Sequence, residues 1–142
     1  MPMPMLAVAF LASHALVSEQ IAFRCRIGGD LISVRRSGPD LIYQVSAHGR
    51  VKLHITRGYL ARTGYSGGGE LQAVFQNGAW TYLVYERTIR TGFAGNNAPI
   101  FTAGVDVLRN GATVSRQSCR DGRTQFSSAA ITNLPQSDFV EH

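Results

Sequence analysis

The chain has 142 residues, 44% of them hydrophobic, which suits one domain with a single core and is too little for two. Its formal charge of +5 comes from 14 basic against 9 acidic residues, and every basic residue except Lys52 is arginine. These are scattered singly or in pairs, which argues against a nucleic-acid partner, and the leading apolar run is too short for a stable membrane span.

In that leading stretch, Met5 to Ala12 is apolar and is followed by Ser13-His14-Ala15, small residues where a signal peptidase cuts. Residues 1–20 therefore read as a secretory leader cleaved near residue 15, although no Lys or Arg precedes Arg24. A buried N-terminal segment is the alternative.

The patterned domain spans residues 21–119. Cys25 lies near its start and Cys119 at its end. In an oxidising compartment a bridge closing so long a loop contributes about 3 to 5 kcal/mol by the chain-entropy account, which points to a periplasmic or secreted protein. Two unrelated buried thiols are the other possibility. Neither cysteine belongs to a CxxC or CxxH spacing, so no zinc site is expected.

Within these bounds, short runs of strand formers alternate with Gly, Asn and Asp, and no helical period is sustained. The expectation is all-β, a small antiparallel meander barrel or sandwich of about eight strands. Ile21 to Ile27 turns through Gly28-Gly29, which sets Cys25 opposite Ile32 and Phe23 opposite Val34. Next, Ala47-His48-Gly49 reads as a three-residue hairpin loop that pairs Val45 with Val51, Tyr43 with Leu53, and Leu41 with Ile55.

The stretch RTGYSGGGELQAVF follows, Arg62 to Phe75. It lacks the Gly-Lys-Ser/Thr and the helix of a phosphate-binding loop, and it holds only a fragment of a nucleophile elbow. Its Tyr65, Ser66, Gly67, Gly68 and Gly69 read either as a permissive crossover or as a binding loop mounted on two strands. Beyond it, Asn77-Gly78 predicts a hairpin with Phe75 opposite Trp80, Ala73 opposite Tyr82, and Leu71 opposite Val84. The other face then carries Glu70, Gln72, Val74, Thr81, Leu83 and Tyr85. It is apolar enough to need cover from the tail, a neighbouring loop or a partner.

Thr91 to Phe101 reads as the longest loop. Asn110-Gly111 closes a last hairpin with Val107 facing Val114. Residues 120–142 are polar and Ser/Thr rich, and are expected to be a loosely docked or disordered tail. His48, His54 and His142 lack ligand spacing and are expected in solvent, while Glu86 and Asp106 should pair with nearby arginines. Nothing here argues for an enzyme or a cofactor.

The layout resembles the periplasmic and membrane-bound inhibitors of C-type lysozyme, small bacterial β-barrels tied by a disulfide. The matching features are Phe23 to Cys25 (FRC), Tyr65 to Glu70 (YSGGGE), the hairpin VFQNGAWTYLVY and the closing Cys119. The resemblance implies that Ser66 and Gly67 begin a loop that enters a lysozyme cleft. Glu70 stands where that family has tyrosine, and Arg87 and Arg90 are the candidates for the basic residue it supplies from a following loop. Three functions are consistent with the sequence. They are an exported protein-binding module of this inhibitor-like kind, a carrier with an apolar site lined by Phe75, Trp80 and Tyr82, and an envelope protein docking through Val74, Leu83 and Tyr85.

Overall fold

A computed structural model describes residues 19–90 and 98–142. The leader, apart from its last two residues, and the loop over 91–97 lie outside the described residues. Eight strands follow one another: β1 (Glu19–Ile27), β2 (Asp30–Ser37), β3 (Asp40–Ala47), β4 (Arg50–Tyr65), β5 (Gly68–Asn77), β6 (Trp80–Arg90), β7 (Pro99–Arg109) and β8 (Ala112–Ser118). They pair in sequence order as one antiparallel meander curled into a half-barrel, the all-β architecture the patterning predicts.

The first hairpin has the expected register, with Cys25 opposite Ile32 and Phe23 opposite Val34. The second does not. Its turn is the two-residue His48-Gly49, both with positive φ, as a type I′ turn requires. A register shift after Val45 then pairs Val45 with Leu53 and Tyr43 with Ile55, and Leu41 meets Gly58. The bulge keeps the apolar face aligned and leaves Val51 exposed.

In the β5–β6 hairpin the turn is Gly78-Ala79, one position later than Asn77-Gly78 predicts. Phe75 therefore opposes Tyr82, Ala73 opposes Val84 and Leu71 opposes Glu86, while Trp80 moves to the rim opposite Asn77 and is exposed. A shift of two preserves which face each residue takes. A bulge in the last hairpin sets Val107 against Ser115 and turns Val114 to solvent. Pro99, Ile100 and Phe101 belong to β7 rather than to a loop.

The main core fills the concave face and includes Phe23, Ile32, Val34, Leu41, Tyr43, Leu60, Phe75, Val84 and Val105. A half-barrel leaves that face open, and the first part of the tail, with Phe126, Ala130, Ile131 and Leu134, closes it, which corrects the reading of a loose tail. Cys119 is bonded to Cys25, joining the end of β8 to β1 across 94 positions. The chain then follows the free edge of β1, with the Arg120 N–H on the Arg26 carbonyl and the Ser127 N–H on the Ala22 carbonyl, each at 2.8 Å.

Phe126, Ala130 and Leu134 are buried in the main core, and the Phe126 ring lies 4.9 Å from that of Phe23. Further on, Gln136 bridges to Leu60 and the Ser137 N–H meets the Leu60 carbonyl at 2.9 Å. Here the tail passes from the concave to the convex face. Phe139 and Val140 then cover a second cluster of Ala61, Val74, Leu83 and Leu108. The convex face expected to need cover is thus covered by the chain's own tail.

Candidate binding site

The Gly-rich stretch is more ordered than a loop. β4 ends at Tyr65, Ser66-Gly67 is a two-residue turn, and β5 begins at Gly68. Gly67 has φ of 86°, which favours glycine, and its carbonyl accepts the Arg90 N–H at 2.9 Å. Gly68 has a different reason to be glycine, since a Cβ there would lie 1.8 Å from the Thr88 carbonyl oxygen. Gly69 is likewise a strand residue, paired with Gly64. Only Ser66 and Gly67 project as an exposed turn, with Tyr65 exposed beside them.

The register carries this end of the sheet sideways. Tyr65 pairs with Gly68, Gly68 with Ile89, and Ile89 with Ile100, so these four form one row across four strands. The row's three large apolar side chains lie well out in solvent, at 44%, 38% and 54% exposure for Tyr65, Ile89 and Ile100. Val74, Leu83 and Tyr85, by contrast, are buried beneath the tail, which removes them as a docking surface.

Glu70, expected at the end of the presented loop, and Arg87, a candidate for the basic residue from a following loop, instead form a buried ionic cluster behind the row. The Glu70 carboxylate is fully enclosed and accepts from Arg87 Nε and Gln72 Nε2, each at 2.7 Å. The cluster also contains two residues that sequence reasoning placed elsewhere. His142, expected in solvent, has a buried side chain whose Nε2 lies 2.8 Å from Glu70 and whose Nδ1 meets Asp106 at 2.5 Å. Asp106 is within 4.0 Å of Arg116, as the expected pairing with an arginine requires.

Burial pushes the Glu70 carboxyl up, but the hydrogen bonds from His142, Gln72 and Arg87 outweigh it and hold the group below its usual range. For His142 the Glu70 hydrogen bond is the largest influence. With Asp106 it outweighs burial, so the imidazole keeps its proton to higher pH than usual. The two carboxylates hold opposite ring nitrogens of a buried histidine. Each ring nitrogen is thus taken up by a carboxylate of the fold itself, and among the described residues no group of His, Cys, Asp and Glu is placed to hold a metal.

On the concave side of the same end, a cleft of about 680 Å³ runs beneath the turn. Gly67, Gly68, Gly69, Glu70 and Arg90 from the predicted set line it, whereas Arg87 points to the other face. Arg62, Glu86, Phe126 and Ile131 also line it, and sequence reasoning assigned them no binding role. The signal for two of these was present. Arg62 shares the parity of core Leu60, and Glu86 that of core Val84, so both are charges at inward positions. Burial raises the Glu86 carboxyl, against a Phe126 backbone hydrogen bond and the nearby Arg62.

The chain matches no protein-family model, no curated protein and no solved structure at a significant level. No match therefore bears on the layout resemblance to lysozyme inhibitors.

Proposed function

We propose that this protein is an exported, non-catalytic binding module that engages a partner protein through the sheet end formed by Tyr65, Ser66, Gly67, Ile89 and Ile100. The observation that carries this reading is the exposed apolar row beside an exposed turn. The tail covers the convex cluster of Ala61, Val74, Leu83 and Leu108, while this row is left open, and the other exposed large apolar residues, Ile21, Val51, Trp80 and Val114, lie elsewhere on the sheet. The Cys25–Cys119 bridge and the docked tail supply a rigid mount, and a disulfide is compatible with an oxidising, exported location.

A lysozyme is the first target to test, because the resemblance places Ser66 and Gly67 at the point of contact. The disulfide-bonded protein at stoichiometric amounts should slow lysis of cell walls by a C-type lysozyme, and Ser66→Asp and Tyr65→Ser should each relieve the effect. A pull-down from periplasm and secretions covers other targets. Failure to slow any lysozyme, together with a pull-down in which Tyr65→Ser and Ile100→Ser change nothing, would end the proposal.

A further inference from the structure

We propose that the concave cleft under the β4–β5 turn binds a small organic anion with an apolar body, its charged group held by Arg62 and Arg90 and its body set against Leu71, Phe126 and Ile131. This does not rest on the partner-protein reading, because the Tyr65 row faces outward and the cleft inward.

Four features of the cleft argue for this. Its volume of about 680 Å³ falls within the range of small-ligand sites. Its charge is unbalanced. Arg62 and Arg90 share the cleft with two acidic residues, but the Glu70 carboxylate is turned to the other face and held there by Arg87 and His142, which leaves Glu86 as the carboxylate on the cleft side. Among the described residues neither guanidinium makes an ion pair or a side-chain hydrogen bond. Arg35, Arg36 and Arg87, in contrast, are each engaged by an acceptor. Arginine forks suit carboxylate and related anions because they present several donors in one plane.

The walls supply the apolar part. Leu71 and Phe126 belong to the main core and Ile131 packs against it, so one side of the cleft is continuous with hydrophobic interior. The fourth feature is Gly64. It lines the cleft as the next-to-last residue of β4, its backbone is not in the left-handed region, and a Cβ on it would meet nothing within 4 Å. Neither conformation nor packing demands glycine there. A strand glycine weakens its strand and often marks close approach of a ligand, and at Gly64 the space kept empty is the cleft itself.

The test is a titration of the full disulfide-bonded chain with 1-anilinonaphthalene-8-sulfonate, an anionic aromatic probe, followed by displacement with octanoate or with neutral octanamide. The expected result is saturable fluorescence that octanoate displaces and octanamide does not. Arg62→Gln with Arg90→Gln should weaken the probe by about tenfold or more, the scale of a lost charge-assisted contact. Gly64→Leu should fill the cleft and abolish binding with an unchanged melting temperature. Tyr65→Ser with Ile100→Ser should leave probe binding as it is. No saturable binding, equal displacement by octanamide, or binding lost in the Tyr65/Ile100 variant but kept in Gly64→Leu would each overturn the proposal.

Discussion

His142 Nε2 lies 2.8 Å from Glu70 Oε2 while the same ring reaches Asp106, so one imidazole fastens the end of the tail to β5 and β7 together. The groups facing it are Glu70, Asp106, Arg87 at 3.3 Å and the Tyr85 ring at 5.0 Å, with Arg116 behind Asp106. Because the folded state raises the His142 pKa, its contribution is complete below the ordinary value of about 6.5 and is lost as pH rises through the raised one. Glu70 is lowered, so its contribution holds above about 4.3 and is lost as pH falls through the lowered value. Urea midpoints from about pH 5 to 9 should show wild type losing its advantage over His142→Gln on the alkaline side. Parallel curves would contradict this.

The disulfide closes a loop of 94 positions, for which chain entropy predicts a contribution of about 4 to 5 kcal/mol. Cys25→Ala with Cys119→Ala should lower unfolding free energy by that amount in denaturant titrations. A loss below about 1 kcal/mol would mean that hydrogen bonding along β1 and burial of the tail close the half-barrel without the bridge.

Phe126 discriminates a docked tail from a loose one. Its ring is buried against Phe23, so Phe126→Ala should cost about 3 to 5 kcal/mol, measured by thermal or urea unfolding. Gln125→Ala, an exposed neighbour, should stay within about 0.5 kcal/mol.

At the corner where β4 turns from β3 toward β5, Gly58 faces the Phe75 ring, and an added Cβ would lie 2.3 Å from it. Gly58→Ala should destabilise by about 1 to 3 kcal/mol through overpacking. Gly29→Ala, with open space and no left-handed backbone, should be nearly neutral in the same unfolding measurement.

The hairpins were legible because Gly-Gly and Asn-Gly turns and period-2 runs are local signals. The bulges were not, since a bulge is chosen by which face must be buried. Val51 and Val114 look like core residues until an extra position turns each outward. The tail's place in the main core was not legible for a related reason. Phe126, Ala130 and Leu134 recur four apart in a short stretch otherwise mostly of Ser, Thr, Asn and Ala, and only an unclosed half-barrel gives them a place to go. His142 had no local signal at all, because its partners are 36 and 72 positions away. Arg62 and Glu86, however, were readable from strand parity once Leu60 and Val84 were assigned to the core.

The bridge between Leu60 and Gln136 has a consequence for handling the protein. Past its corner, β4 has left β3 but still offers backbone donors and acceptors on that side, and Gln136 and Ser137 occupy them. An unoccupied strand edge is a template for further strands. Proteolytic loss of this wrapping segment would bare both that edge and the apolar faces beneath it, and the product to expect is intermolecular β-stacking and precipitation rather than a smaller soluble domain.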